Sequence, residues 1–175
     1  MSRVAAWEMM MRVLPIAIAL GIVGATMSTS GGTQVPDAQI NAQSLQWQRA
    51  GEAALAAGNF QAADDALESA LIIDPRNRGA FIALARVAQK QKLYGQAIRF
   101  TNKALTLEPN DPVALGVQGE AMVELGAVAR AQQNLAKIRT LCGNKPCAPA
   151  TSLAALIQRG PAMARSDTPA APKKN

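Results

Sequence analysis

The hexapeptide ALIIDP occupies residues 70–75, and the closely similar ALTLEP occupies residues 104–109. The two copies are offset by 34 residues, and each ends in an acidic residue followed by a proline. A proline cannot continue the hydrogen-bond ladder of a helix, so each copy predicts the end of a helix and a turn after it. Agreement at a fixed period of this length predicts an array of similar structural units.

The repeat extends well beyond the two hexapeptides when residues 44–77, 78–111 and 112–141 are aligned. Matching positions carry the same kind of residue: Trp47, Phe81 and Leu115; Gly51, Ala85 and Gly119; Ala63, Ala97 and Ala131; Ala70 and Ala104; Pro75 and Pro109. Within each unit an apolar stripe recurs at helical spacing, and a turn then leads to a second helical segment. Each unit is therefore predicted to be a helical hairpin, with the small residues where its two helices cross.

These residues resemble the tetratricopeptide-repeat family, whose pattern is W-x-x-L-G-x-x-Y followed by Ala, an aromatic residue, Ala and Pro. The resemblance is closest in FIALARVA at residues 81–88 and QAIRFTNKALTLEP at residues 96–109. The third unit departs from the pattern, because Gln118 stands in place of the usual Leu and Gly143 in place of Pro. The resemblance implies an all-α fold, an α-solenoid of three helical hairpins.

The two ends of the array are expected to differ from its interior. The last hairpin leaves an apolar face open, and such arrays generally need an atypical terminal element to cover it. Residues 149–160, PATSLAALIQRG, have a short apolar stripe, a proline suited to a first helical turn and a glycine stop. We expect a capping helix over about residues 149–158, which completes a repeat domain at residues 44–158. Residues 31–43 are expected to be a linker, and residues 159–175 a disordered basic tail.

The first residues have the pattern of a secretory leader. Arg3 and Arg12 precede the apolar run VLPIAIALGIVGA, residues 13–25, and small residues follow it. A helix of this length rises only about 20 Å, short of the roughly 30 Å of bilayer hydrocarbon, so we expect a cleaved signal peptide over residues 1–25. A cut as late as residue 30 is an alternative. The expected product is exported to the periplasm without stable membrane insertion, and an uncleaved leader that tethers the chain to the membrane is the alternative.

The chain has two cysteines, Cys142 and Cys147, in the sequence CGNKPC. An exported protein meets an oxidising compartment, so a local disulfide that ties the third hairpin to the capping helix is expected. The alternative is a thiol–disulfide exchange protein that uses the same pair, although such proteins usually carry C-x-x-C at a helix start on a strand-bearing fold. A zinc site needs about four ligands and the chain has no histidine, so no metal is expected.

The composition points away from an enzyme. The chain has no histidine and no glycine-rich phosphate loop, and its adjacent acids Asp64 and Asp65 would point different ways on a helix. Neither catalytic residues nor a cofactor is therefore expected. Aromatic residues are only 3% of the chain, and the net charge of +6 is divided among segments of opposite sign, so nucleic-acid binding is not expected. We expect a non-enzymatic protein–protein interaction module with a protein or peptide partner, and self-association through an uncovered first helix is left open.

First helices of successive hairpins line the concave side of tetratricopeptide arrays, so the resemblance implies a groove built from their exposed stripes. The predicted groove residues are Gln48, Glu52, Leu55, Ile82, Arg86, Gln89, Lys90, Glu120, Val123 and Glu124. The alternative is a solvated face whose charges pair between hairpins. Some family members clamp a partner's terminal carboxylate with Lys, Asn and Arg. That clamp is not expected here, because the corresponding positions hold Gln48, Glu52, Ala83, Val113 and Val117.

Overall fold

The computed structural model describes residues 39–161, and over this range the chain forms seven α-helices and no β-strand. The helices are α1 (Ala42–Ala56), α2 (Phe60–Ile73), α3 (Arg78–Lys90), α4 (Tyr94–Leu107), α5 (Pro112–Glu124), α6 (Val128–Cys142) and α7 (Ala148–Arg159). The predicted all-α fold is confirmed. The predicted leader, and most of the predicted linker and tail, lie outside the described residues. None of the seven helices has the length and apolar content needed to cross a membrane.

Six of the helices pack as three consecutive hairpins, α1 with α2, α3 with α4 and α5 with α6. Three-residue turns join the two helices of each pair, at residues 57–59, 91–93 and 125–127. The middle residue of each turn has a positive φ, +76° at Gly58, 61° at Lys92 and +76° at Gly126. These three positions match one another in the repeat, so the same left-handed turn reverses the chain in every hairpin.

Asparagine or aspartate caps the helices that begin a hairpin. Asn41 accepts a hydrogen bond from the backbone N–H of Gln43 at 2.8 Å, Asn77 accepts one from Ala80 at 3.1 Å, and Asp111 accepts one from Val113 at 2.7 Å. Such caps satisfy N–H groups that have no partner inside the helix. The cap at Asn41 starts α1 two residues before residue 44, so the predicted linker 31–43 extends too far into the domain.

Small residues let neighbouring helices approach closely. A Cβ added at Gly51 in α1 would lie 2.5 Å from Leu67 Cγ and 3.1 Å from the Ala63 carbonyl oxygen of α2. The predicted role of small residues at this helix crossing is therefore confirmed. The same α2 side chains pack against Leu84 and Val87 of α3, which are 1% and 0% exposed. Each hairpin thus covers the face of the next one.

Within residues 39–161, no hairpin precedes the first one. Leu84 and Val87 of α3 match Ala50 and Ala53 of α1, yet Ala50 and Ala53 are exposed. Trp47, which begins the same face, is 42% exposed. The N-terminal end of the described array therefore presents an apolar helix face.

The C-terminal end of the array is covered by α7, as expected. This helix packs against α5 and α6, and its Leu153 is fully buried. Gly119 of α5 leaves the space that Leu153 occupies, since a Cβ there would lie 2.6 Å from Leu153 Cδ2. The predicted capping helix is thus confirmed, one residue longer at each end than predicted.

Gln118, which departs from the family pattern, joins the second and third hairpins. Its side chain is 6% exposed, and its Nε2 donates to Asn102 Oδ1 of α4 at 2.7 Å. Its Oε1 accepts a hydrogen bond from Asn134 Nδ2 of α6 at 3.0 Å. The buried amide is thus satisfied on both sides, and it replaces apolar packing with a polar link between α4 and α6.

Candidate functional site

Helices α1, α3 and α5 lie side by side and form one open face with two neighbouring pockets. The first, which we name the charged pocket, has a volume of about 410 Å³ and is lined by Leu55, Arg86, Gln89, Lys90, Tyr94, Glu120 and Glu124. The second, which we name the apolar pocket, has a volume of about 260 Å³ and is lined by Arg86, Val113, Gly116, Val117, Glu120, Ala148, Pro149 and Ser152. Arg86 and Glu120 line both pockets, so the two are adjacent, and together we name them the groove.

Most of the residues predicted from helical phase meet in the charged pocket: Leu55, Arg86, Gln89, Lys90, Glu120 and Glu124. Gln48 and Glu52 line neither pocket. They bond to each other, Gln48 Nε2 donating to Glu52 Oε1 at 2.9 Å, and the Gln48 amide lies over Gly79 at the start of α3.

Ile82 and Val123 are placed differently from the prediction. Ile82 is 7% exposed and packs with Ala114 and Val117 of the next hairpin, and Val123 is fully buried with Leu135 of α6. Contact of these two side chains with a ligand stays a prediction, but neither of them lines either pocket. The physical reason is that the neighbouring helix covers this edge of the stripe, which helical phase within one hairpin does not show.

The charges on α1, α3 and α5 alternate between repeats. Glu52, Arg86 and Glu120 occupy the same position in successive repeats, and Arg86 interacts electrostatically with Glu120. Arg86 and Lys90 are exposed, whereas Glu120 is partly buried. Burial raises the pKa of Glu120, and a hydrogen bond from Gln89 and the positive charge of Arg86 oppose that rise. Gln89 Nε2 also donates to the Val117 carbonyl oxygen at 2.9 Å, which fixes Gln89 between α3 and α5.

Two contributors to the groove were missing from the sequence prediction. Tyr94, the first residue of α4, lines the charged pocket, and burial together with the negative charge of Glu124 raises its pKa. The repeat contains a signal for it, because Tyr94 matches Phe60, another half-buried aromatic residue at the start of a second helix. The other contributor is α7, whose first turn forms a wall of the apolar pocket.

Cys142 and Cys147 lie where α6 ends and α7 begins. Their sulfur atoms are at bonding distance and their Cα atoms are 6.1 Å apart, so the pair has the separation that a disulfide requires. Cys147 is the N-cap residue of α7 and precedes the groove residues Ala148 and Pro149. Among residues 39–161, no group of three or more His, Cys, Asp or Glu side chains is arranged to hold a metal ion.

Comparison with known proteins identifies the repeat. A sequence model of the family described as Tetratricopeptide repeat matches residues 54–118. No curated protein matches the whole sequence closely enough to count as a relative.

Solved structures with the same fold include the first tetratricopeptide domain of Spaghetti (RPAP3) bound to the HSP90 peptide SRMEEVD, at 20% identity and a TM-score of 0.60. That similarity covers 67% of this chain and 91% of that one. The translocator chaperone SycD of Yersinia enterocolitica type III secretion is 16% identical, with a TM-score of 0.62 over 73% of this chain and 97% of that one. The Sgt2 domain from Aspergillus fumigatus is 19% identical, with a TM-score of 0.62 over 77% of this chain and 88% of that one.

Proposed function

Because the chain is a member of the tetratricopeptide-repeat family, we propose that it is a non-enzymatic protein-interaction module that holds a segment of a partner protein in the groove. The observation that carries this proposal is that the two pockets lie side by side along α1, α3, α5 and α7. An open surface of this kind, with a charged pocket next to an apolar one, suits an extended or helical segment better than a small metabolite.

The fold neighbours support a protein partner without identifying it. One of them holds an HSP90 peptide, and another is named as a secretion translocator chaperone. The residues that would clamp a terminal carboxylate are replaced here by side chains such as Ala83, which is 1% exposed, and Val117, which is 5% exposed. The partner segment is therefore proposed to be internal to its protein, with no requirement for a free C-terminus.

The groove is tested by reversing its exposed positive charges. The variant R86E/K90E should lose capture of the partner from an envelope extract, identified by mass spectrometry, while its helicity and melting temperature stay close to those of the unchanged protein. The matched control is R99E/K103E, which makes the same charge change on exposed residues of α4 that line neither pocket. An equal loss of partner capture in both variants would show that binding depends on net charge. Retained capture by R86E/K90E would show that the partner binds outside the groove.

Export to the periplasm is part of the proposal and is supported by the apolar run at residues 13–25 behind Arg12. Cell fractionation and intact mass test it. The expected result is a shortened chain, cut after residue 25 or as late as residue 30, in the periplasmic fraction. Full-length chain in the cytosol would contradict export, and full-length chain in the membrane fraction would favour the tethered alternative.

A second candidate function is thiol–disulfide exchange through Cys142 and Cys147. It is favoured by the position of Cys147 at the N-terminus of α7, because a helix N-terminus stabilises a thiolate. Equilibration with glutathione separates the candidates, since an exchange pair is reduced by mild glutathione and a structural disulfide resists it.

Self-association is a lesser part of the proposal and concerns the apolar face of α1. Trp47 on that face is 42% exposed, and exposed Ala50 and Ala53 lie beside it. Sedimentation of the protein and of A53E tests it, because a buried glutamate at an interface would favour the monomer. A monomeric unchanged protein would exclude self-association.

A further inference from the structure

The apolar pocket lies where α7 meets α5. Its floor is the backbone of Gly116 with Val117, and Ala148 and Pro149 of α7 form a wall. The contact between the two helices is close, because a Cβ at Gly116 would lie only 3.1 Å from Pro149 Cβ. A helix that served only to cover the end of the array would not need to extend into the groove, yet the first turn of α7 does.

Two features hold that first turn in place. Leu153, one turn further along α7, is fully buried against Gly119 of α5. Before the turn, Cys147 lies at bonding distance from Cys142 at the end of α6. With the expected bond between the two cysteines, the wall of the apolar pocket is held from both directions, which gives the pocket a defined shape before any ligand arrives.

The charge at the mouth of the apolar pocket favours an acidic group on the occupant. Arg86 is exposed where the two pockets join, and Lys90 is exposed one turn along the same helix. The opposing acid, Glu120, is partly buried and interacts with Gln89. Of the two charged residues that line the apolar pocket, Arg86 is therefore the more accessible to a ligand, and it lies beside the apolar lining of Val113, Val117, Ala148 and Pro149.

We propose that the apolar pocket receives one large apolar side chain of the partner segment, next to an acidic side chain that reaches Arg86, and that α7 is therefore part of the binding site. This inference rests on the proposed function and adds to it a defined anchor position. The pocket lining is mostly apolar, with Arg86 and Glu120 as its charged members, and an aliphatic or aromatic side chain can cover the apolar part without burying a polar group of its own.

The test uses a displayed library of random linear peptides, selected on the protein with Cys142 and Cys147 oxidised. The selected peptides should share a large apolar residue within a few positions of an acidic one. Affinity of a selected peptide is then measured by fluorescence anisotropy against S152W, which fills the apolar pocket from its exposed α7 edge. Q158W is the matched control, because Gln158 is exposed on the same helix and lines a different cavity, with Arg139.

S152W should weaken binding at least about tenfold, as should replacing the apolar peptide residue by alanine, whereas Q158W should leave affinity unchanged. The two changes should not add, because both remove the same contact. Additive losses, or unchanged affinity in S152W, would overturn the anchor position. The peptide substitution keeps the test valid if S152W folds poorly, since it leaves the protein untouched.

The same peptides separate this inference from the proposed function. Loss of binding in R86E/K90E with full binding in S152W would retain the groove and refute the role of α7. Full binding in both variants would refute the groove itself. Reduction of the cysteine pair with a dithiol gives a further check, because the apolar peptide should bind more weakly after reduction and its alanine variant should not change.

Discussion

The Nε atom of Arg78 lies 2.8 Å from Oδ2 of Asp111, which joins the first residue of α3 to the N-cap of α5. One repeat earlier the same two positions hold Ser44 and Asn77, and there Asn77 Nδ2 donates to Ser44 Oγ at 2.9 Å. The array therefore keeps a link between successive hairpins at this position, once as a neutral hydrogen bond and once as an ion pair. Ser44, Asn77 and Asp111 are nearly fully buried, whereas the Arg78 side chain is 28% exposed, so the neutral link lies inside the packed array and the ion pair lies at its edge.

Replacing Asp111 by alanine should lower the free energy of unfolding by about 2 kcal/mol or more, because it removes both the α5 cap and the carboxylate that faces Arg78. Chemical denaturation measures the change. D111N is the matched control: it keeps a capping oxygen, as Asn77 does in the preceding repeat, and should lose about 1 kcal/mol less than D111A. Equal losses in the two variants would show that the cap contributes nothing.

The 34-residue period predicted the fold well because each hairpin contains local signals for where its helices end and cross. Pro75 and Pro109 mark the ends of second helices, and Gly51 marks a helix crossing that the structure confirms. The groove was predicted less completely. Helical phase finds which side of α3 faces away from α4, but only the packing of the next hairpin decides that Ile82 is covered and Arg86 is exposed.

Features that depend on a single contact between distant residues could not be predicted from the sequence either. The start of α1 at Ala42 depends on Asn41, whose N–H donates to Asp74 Oδ2 at 3.0 Å. The role of α7 in the groove depends on the contact between Pro149 and Gly116. Pro149 lies outside the three aligned repeats, so the repeat pattern gives no information about this contact. Gln118 departs from the repeat pattern, and only its hydrogen bonds with Asn102 and Asn134 show that it links the second and third hairpins.

Asp74 should make stability depend on pH in the acid range. The Arg76 side chain bonds to its carboxylate, with Nε to Oδ1 at 3.0 Å, and this holds the pKa of Asp74 at about 2, below the ordinary 3.8. Because the folded pKa is the lower one, the stabilisation is fully present above pH 3.8 and is lost as the pH falls through about 2. Urea denaturation across this window should show a steeper loss for the unchanged protein than for D74N. R76A should move the loss to higher pH, and added salt should weaken the effect because Arg76 is 52% exposed.

Replacing Lys92 by glycine should stabilise the protein. Its φ of 61° is in the left-handed region, where the matching residues of the other two hairpins are Gly58 and Gly126. A side chain in that region costs about 1 kcal/mol, part of which the greater freedom of glycine in the unfolded chain offsets. K92G should therefore raise the melting temperature. K92A removes the same charge but keeps a Cβ, so a rise in K92A as large as that in K92G would assign the effect to charge.

The last prediction concerns Cys142 and Cys147, whose expected bond closes a short loop between α6 and α7. Closing a loop of this size stabilises a protein by about 2 kcal/mol, so C142S/C147S should lower the melting temperature by about 5 °C or more. The loss of stability should be local at first, because α7 is a short helix that packs on α5 and α6 and is marginal without tertiary support.

Hydrogen exchange in the double variant should therefore show loss of protection in α7 before loss in α3 or α4. Reduction of the unchanged protein with a dithiol should reproduce the same pattern, which separates loss of the bond from the effect of the serine side chains. Free thiols in protein purified under oxidising conditions would contradict the bond. Protection of α7 that is equal in the oxidised protein, the reduced protein and the double variant would show that Leu153 alone holds this helix in place, and the wall of the apolar pocket would then be independent of the cysteine pair.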